Sequence, residues 1–561
     1  MNKGIENMKL SPGRIVLVVL AVLGAAGWLG WQRYWYYLPG LVASFRDPIG
    51  PTQPVSWQAG PATPPSAGAS RPPNVIVILA DDLGWNDLSF NRGGVANGAV
   101  PTPRINSIGL DGATFMQAYA GNATCAPSRA AIMTGRYATR FGFEFTPAPK
   151  AFSRLISTFP ATNGHPMMYH SELEDQIPDH IDLLTVPTSE IMIGQVMKQK
   201  AYHTIMLGKW HLGGTPATRP EARGFDEALA FYSGASMFLP KGSAEVVNSM
   251  QDFDPIDKFL WANLGFGIRY NGSKQFAPGE YMTDYLGHEA ARAIVANKNR
   301  PFFMYLAYNA VHTPLQALKS DYETLSDIKD HRLRVYAAMV RSLDRSVGYV
   351  LDALKDNGLD DNTLVIFTSD NGGAHYIGLP DINKPFRGWK ATFFEGGLHI
   401  PFFMKWPARI PPKTIFDKPI AHVDIFATAA ATASAAVPTD RTLDGVDLVR
   451  HVTGVATEAP HKSLYWRSGD YKVLLAGNWK LQVSEVPKKV WLFDLAVDPT
   501  EQTNLAETNV AKRQELMADL TKLDAEQSKP AWPSLLQAPI MIDQPMSFPS
   551  QPNAEYINWA N

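Results

Sequence analysis

The sequence predicts an α/β protein: a large mixed or mostly parallel sheet flanked by helices, a smaller antiparallel sheet after it, and an apolar transmembrane segment before it. Three observations carry that prediction. Continuous apolar runs rich in branched and aromatic residues recur at 74–80, 204–207, 302–308 and 364–368, with helical patterns between them. Each run ends abruptly in polar residues. After about residue 440 this alternation gives way to short strands joined by tight turns.

From the amino terminus, Lys3, Lys9 and Arg14 precede a stretch from Ile15 to Gln32 that contains no acid or base. Its length suits a membrane span, and Trp28, Trp31, Tyr34, Trp35, Tyr36 and Tyr37, with Arg33 among them, form an interfacial belt. The basic side is amino-terminal, which places the rest of the chain outside the cytoplasm, read here as a bacterial periplasm. No small-x-small cleavage site closes the apolar run, so the segment reads as a retained anchor, with a cleaved secretion signal as the alternative. Residues 1–14 are then cytoplasmic, 15–37 the anchor and belt, and 38–73, rich in Pro, Ala, Ser and Gly, a linker.

The run Asn74-Val-Ile-Val-Ile-Leu-Ala80 shows no polar alternation, as a strand buried on both faces should. It leads into Asp81-Asp82-Leu83-Gly84. In the same way Thr204–Leu207 leads into Gly208-Lys209-Trp210-His211, Phe302–Tyr308 into His312, and Leu364–Thr368 into Asp370-Asn371. Helices are predicted over 188–200, 283–298 and 334–357, the last stopped by Gly358. Ligands of such sheets bind beyond the carboxyl ends of the strands, where all four polar clusters fall. Farther on, 471–476 and 479–483 read as a hairpin, 490–493 as another strand and 510–526 as a helix. The main domain is placed at 74–440, a small subdomain at 441–529, and an irregular tail at 530–561.

A chain of 561 residues has room for a large core and a smaller unit. Its formal net charge of -2 supplies no field for gathering polyanions and argues against a nucleic-acid partner. The single cysteine, Cys125, excludes an intramolecular disulfide.

The chemistry gathers at the strand ends. Asp81, Asp82, Asp370 and Asn371 are hard oxygen donors that suit calcium or magnesium better than zinc or copper. Arg129, Lys209, His211, His312 and Lys390 supply the fixed bases that a tetrahedral anion requires, together with groups able to move protons. Cys125 precedes Pro127 and an Ala-rich stretch ended by Gly135, which puts it at a helix amino terminus, where negative charge on a nucleophile or ligand is stabilised.

Cys125-x-Pro127-Ser128-Arg129 followed by Thr134-Gly135-Arg136 resembles the maturation signature of the type I sulfatases, arylsulfatase-like members of the alkaline phosphatase superfamily. The resemblance extends through Gly208-Lys-Trp-His-Leu-Gly213, His312-Thr-Pro314, Ser369-Asp-Asn-Gly-Gly373, Arg387-Gly-Trp-Lys390 and Glu395-Gly-Gly397. It resumes at Leu492-Phe-Asp-Leu495, Asp498-Pro499 and Asn504-Leu-Ala506. It implies a sulfuric ester hydrolase with its catalytic domain at 74–440, acting on a small-molecule sulfate ester. It also implies a separate maturation enzyme that converts Cys125 to formylglycine.

By that resemblance Asp81, Asp82, Asp370, Asn371 and residue 125 as formylglycine hold calcium, and Arg129 stabilises the formylglycine hydrate. Lys209 and Lys390 bracket the sulfate, His312 protonates the leaving group with help from Lys390, and His211 takes the proton that collapses the sulfated intermediate. Two alternatives stand beside this reading. One is a phosphonate monoester or phosphodiester hydrolase with the same matured nucleophile; the other is an inactive, sulfatase-like binding protein. His399 lies where many relatives carry Arg and is not assigned to sulfate. Residues 141–182 and 231–277 are expected to shape the substrate entrance. There Phe141, Phe143, Phe145, Trp261 and Phe266 read either as the wall of an apolar aryl or steroid site or as ordinary packing.

Overall fold

The computed structural model describes residues 12–561 except 64–70, 91–92, 159–164, 166, 550 and 552. Lys3 and Lys9 therefore lie outside the described residues. The four apolar runs form the strands Asn74–Ala80, His203–Lys209, Phe302–Ala307 and Thr363–Ser369, buried along their whole length. They pair in parallel, in the order Thr363–Ser369, Asn74–Ala80, Phe302–Ala307, His203–Lys209. The register sets Ile366, Val77, Tyr305 and Met206 in one row. Parallel pairing sends all four carboxyl ends to the same edge of the sheet, which brings four sequence-distant polar clusters together.

Among the described residues the sheet has nine strands. Glu227–Phe231 continues it in parallel beyond His203–Lys209, and Arg269–Tyr270 closes that side antiparallel. On the other side Phe402–Lys405 and then Ala113–Phe115 run antiparallel, with Thr414–Phe416 parallel to the latter. The result is mostly parallel with mixed margins, as predicted. His331–Asp356 packs with Met282–Ala296 and Pro103–Leu110, while Cys125–Thr134 packs with Val423–Thr432 and Ile193–Lys198. Helices on both faces account for strands with no solvated side.

The longest helix, His331–Asp356, starts where the Asp330 carboxylate accepts from Leu333 N at 2.8 Å, and Gly358 at φ 65° turns the chain just past its end. The helix predicted over 188–200 is shorter, Ile193–Lys198, because the Gln195 side chain caps Met192 N at 2.9 Å and sets the start there.

The small sheet is a four-stranded antiparallel meander of Ser463–Ser468, Tyr471–Ala476, Trp479–Glu485 and Lys488–Asp494, covered by the helix Val510–Ala525. Its first strand was not predicted. The meander shares the main core: Phe394 meets Trp491 edge-on at 5.6 Å. A buried network also crosses between them, with Lys480 Nζ 2.7 Å from Glu395 Oε1 and 3.0 Å from Glu501 Oε1.

Two expectations are corrected. Residues 530–561 are not irregular throughout: Leu536–Met541 pairs antiparallel with Tyr556–Ala560 and with Met168–Tyr169. These short strands have little periodicity of their own and exist through tertiary pairing. The segment after Tyr37 does not open as a linker, because Leu38–Arg46 is helical and residues beyond it lie on the body. Gly50 N donates to Gln275 O at 2.9 Å, Trp57 Nε1 to Glu289 Oε2 at 2.9 Å, and Gly60 N to Ala296 O at 2.8 Å. A Pro/Ala/Ser/Gly composition reports missing regular structure, and a chain without regular structure can still be packed.

Candidate active site

Asp81 and Asp82 follow directly on the Asn74–Ala80 strand, and both are fully buried. Asp82 has φ 58° and His211 φ 61°, a left-handed backbone uncommon for non-glycine residues. Cys125 is the first residue of the helix Cys125–Thr134, which Gly135 ends at φ 68°. A Cβ at Gly135 would stand 2.9 Å from the Phe426 side chain, so the stop also permits close packing.

The side chains interlock in two layers. Lys390 Nζ lies 2.7 Å from Asp82 Oδ1 and 3.0 Å from Cys125 Sγ, and that sulfur is 3.9 Å from Asp82 Oδ1. Asn371 Nδ2 donates to Asp82 Oδ1 at 2.8 Å, and His312 Nε2 is 3.6 Å from Asp82 Oδ2. Behind them Lys209 Nζ contacts both Asp81 oxygens, at 2.7 and 3.0 Å. Arg129 donates from Nε to Asp370 Oδ2 at 2.9 Å and from Nη1 to the Lys209 carbonyl at 3.0 Å, and Asp82 N donates to Asp370 Oδ1 at 3.2 Å. Every residue predicted for the site except His211 is joined to this network.

Three carboxylates thus face three strong bases, and the charge balances internally. Burial, with the negative charge of Asp370 and Cys125 adding to it, raises the Asp81 carboxyl well above its usual range despite Lys209. Burial acts the same way on Asp82, but Lys390, His312 and Lys209 together hold its carboxyl below the usual range. Arg129 and then Lys209 do likewise for Asp370 against the same burial. Burial, with Lys209 and Arg129 next, pushes His211 well below its ordinary value. Burial also lowers His312, opposed by Asp82. His312 Nδ1 lies 2.6 Å from the Thr313 carbonyl, which can only accept, so Nδ1 carries the hydrogen and Nε2 faces the cluster.

The donor set fits a hard cation. Asp81, Asp82, Cys125 and His312 each offer an atom within 4.8 Å of the others. Among the described residues Asn371 Oδ1 is buried without a hydrogen-bond partner, an arrangement that costs free energy unless a ligand completes it. Carboxylate and carboxamide oxygens outnumber nitrogen donors here, which favours calcium or magnesium.

Several contributors carry no sequence signal. Tyr376 donates to Asp82 Oδ2 at 2.9 Å and accepts from Lys390 at 3.1 Å. Only its position five residues beyond Asn371 hints at a role. His422 is held neutral by burial, its pKa lowered to about 3. It accepts from Gly121 N at 3.2 Å and Ser128 Oγ at 2.9 Å, and its Nε2 meets Thr368 Oγ1 at 3.2 Å, pinning the Cys125 helix to the Thr363–Ser369 strand.

His399 bonds Glu395 Oε2 at 2.7 Å and the Met116 carbonyl at 2.8 Å, a framework role. The aromatic residues considered for an apolar entrance pack inward instead. Phe143, Phe145, Trp261 and Phe266 are buried in the main core, Phe143 edge-on to Trp532 at 5.3 Å, and Phe141 is partly buried against it.

Residues 73–435 match the family described as Sulfatase. N-acetylgalactosamine-6-sulfatase of Canis lupus familiaris is 31% identical over 423 residues, 74% of this chain and 72% of that protein. Steryl-sulfatase of Homo sapiens is 28% identical over 512 residues, 79% of this chain and 80% of its own. Among solved structures, Ps i-CgsB in complex with k-i-k-neocarrahexaose superposes with a TM-score of 0.67 at 32% identity, covering 82% of this chain and 95% of its own. By family match, by identity to relatives covered over most of their length, and by fold, the chain belongs to the sulfatase family of sulfuric ester hydrolases.

Proposed function

We propose that this protein hydrolyses a sulfate ester through residue 125 matured from cysteine to formylglycine, with calcium bound beside it. The observation that carries the reading is the place of the only cysteine. Its Sγ, standing where the oxygens of a matured residue would be, sits at a helix amino terminus, 3.0 Å from Lys390 Nζ and 3.9 Å from Asp82 Oδ1. Asp81, Asp82, Asp370 and Asn371, with residue 125, are the residues that would hold calcium, which supplies positive charge for the sulfate and for the deprotonated nucleophile.

The remaining chemistry falls to the chain's own side chains. Arg129, fixed on Asp370, orients residue 125. With the carboxylates committed to a cation, the Lys209 and Lys390 ammonium groups are left to hold sulfate oxygens. His312, with Nδ1 anchored on the Thr313 carbonyl, presents Nε2 to the leaving oxygen; as the imidazolium, which the Asp82 carboxylate 3.6 Å away favours, it gives up the Nε2 proton there and returns to the neutral ring. His211 receives the proton that residue 125 gives up during turnover.

The substrate class this reading favours is a carbohydrate sulfate. Relatives at or above 30% identity include one named for N-acetylgalactosamine-6-sulfate chemistry and one solved with a hexaose, and the aromatic residues that would suit an apolar entrance pack in the core or, for Phe141, against it. The apolar helix Pro12–Tyr34 serves as a retained membrane anchor, with the catalytic body extracytoplasmic.

Mass spectrometry of the Cys125 peptide, metal analysis and sulfate release test the reading together. The expected results are an aldehyde or its hydrate at residue 125, stoichiometric calcium, and activity that tracks the converted fraction. Full turnover by protein with an unmodified thiol at residue 125 would refute the mechanism. Greater catalytic efficiency on a phosphonate monoester than on the matched sulfate would refute the reaction class.

A further inference from the structure

The helix Leu38–Arg46 presents an apolar stripe to solvent. Leu38, Leu41 and Phe45 are 46%, 54% and 79% exposed. At 3.6 residues per turn these three fall within about 60° of one another around the axis. The opposite side carries Gly40, whose N donates to Asn263 Oδ1 at 2.6 Å. A Cβ at Gly40 would lie 2.8 Å from Asn263 Cα, so only glycine permits this approach. Asn263 Nδ2 donates in turn to the Tyr36 carbonyl at 3.0 Å and to Phe259 O at 2.8 Å. Tyr36 is itself buried against Leu155 and Phe259, with Trp35 packed on the same cluster.

The chain leaving the apolar helix Pro12–Tyr34 is therefore clasped to the body within a few residues, with no free length between them. The exposed stripe follows immediately on that helix, which is long and apolar enough to cross a membrane. Exposed Arg33 and Arg46 flank it, where they can meet lipid phosphates. Continuity with the anchor and flanking basic residues point to one occupant, the bilayer surface. An apolar face of this kind settles about 5–10 Å into the boundary between headgroups and acyl chains.

We propose that the Leu38–Arg46 helix lies in the extracytoplasmic membrane interface with Leu38, Leu41 and Phe45 inserted, and that the Gly40–Asn263 clasp mounts the catalytic body on the bilayer in one orientation. This rests on the anchor reading given above. The mount connects directly to the active-site rim. The helix Pro255–Asn263, about 13 Å long at 1.5 Å per residue, ends at the clasp. Just before its start, Phe253 stacks under Arg332 at 4.9 Å, and Arg332 Nη1 donates at 3.0 Å to the carbonyl of Gly378, two residues past Tyr376. The enzyme is thus held against the membrane surface, where a tethered one would sample a volume above it.

Full-length protein in vesicles of phosphatidylethanolamine and phosphatidylglycerol tests this. An environment-sensitive fluorophore is placed on single introduced cysteines, Leu41→Cys, Phe45→Cys and, as an exposed control, Val497→Cys. Lipids carrying a nitroxide near the top of the acyl chain should quench more than about half of the emission at 41 and 45, given an insertion depth of about 5–10 Å. The control should keep its emission. Energy transfer from the Val497 probe to acceptor lipids should report one narrow distance distribution, broadened by Gly40→Val. Membrane-integrated protein with water-like probes at 41 and 45, or a broad distribution in the unclasped and clasped proteins alike, overturns the mount. Native protein that is not membrane-integrated and begins after Leu38 overturns the anchor reading and the mount with it.

Discussion

Replacing Arg387 with methionine asks whether residues 530–561 hold the active site in register. Arg387 Nη2 donates to Asp543 Oδ2 at 2.7 Å and to Glu555 Oε2 at 2.6 Å, and Nη1 to the Glu501 carbonyl at 3.1 Å. The Asp543 and Glu555 side chains are 51% and 31% exposed, so solvent screens both pairs. Each is then worth about 0.5–1 kcal/mol, well short of a buried pair. Losing both costs about 1–2 kcal/mol, a factor of about 5–30 in the equilibrium that detaches the tail. The same tail bonds the loop bearing Tyr376, through Met546 N to the His375 carbonyl at 3.0 Å and Ser547 Oγ to the Gly378 carbonyl at 2.8 Å.

Arg387 stands three residues before Lys390, and a displacement of about 1 Å at a reacting group costs about 100-fold. The expected result is a kcat/KM lowered by up to about 30-fold with Tm reduced by only a few degrees. Arg387→Lys, which keeps the charge but loses the fork, should recover part of it. Steady-state kinetics with peptide-resolved hydrogen exchange over 536–560 is the assay. Faster exchange in the tail with unchanged kcat/KM would refute the coupling and leave the tail a purely structural strap.

Three further outcomes are expected. Tyr376→Phe removes the hydroxyl that links Asp82 to Lys390 and should lower affinity for the proposed calcium, or kcat/KM, by about 10- to 100-fold, read by calcium titration and kinetics; no change in either would remove Tyr376 from the site. Gly208→Ala should cost more than about 4 kcal/mol in a urea melt, because φ is 93° and the new Cβ would sit 1.9 Å from the Ala307 carbonyl oxygen; a near-native midpoint would contradict the packing. His461 is the pH-dependent case. Burial works against its charge, but Asp424, with both oxygens 2.9 Å from Nε2, raises its pKa above the ordinary 6.5. A raised folded-state pKa makes the stabilisation complete below about 6.5 and loses it as pH climbs through the folded value. Thermal melts should therefore show Tm falling on the alkaline side in the native protein and a flatter profile in His461→Gln; parallel profiles would rule the pair out as the cause.

Much of the site could be read directly because of where its residues sit. Strands buried on both faces leave unbroken apolar runs, and Asp81, Asp82, Lys209, Asp370 and Asn371 lie at or within two residues of where those runs end. Parallel order, once assumed, delivers them to one edge. Cys125 and Arg129 share a short helix whose start and stop are written in Pro127 and Gly135. Local rules, in which a residue's place follows from its neighbours in the chain, were enough for these.

Other features depended on partners remote in sequence. Tyr376 reaches Asp82 only through the path of a loop held by Arg332 and by the tail. The strands of the tail form because Leu536–Met541 finds Tyr556–Ala560 and Met168–Tyr169, none of which has periodicity to announce it. The phenylalanines of 141–145 lie against the core because Trp532 comes to meet Phe143. Residues 38–46 are fastened by a hydrogen bond from Gly40 to Asn263, more than two hundred positions away. The sequence by itself determined the α/β class and the polar groups attached to strand and helix ends, since these follow from burial pattern and chain adjacency. Only the tertiary structure decided which loops, tails and terminal segments close around them, because such segments bury too little by themselves to have a conformation until the rest of the molecule supplies the other side of each contact.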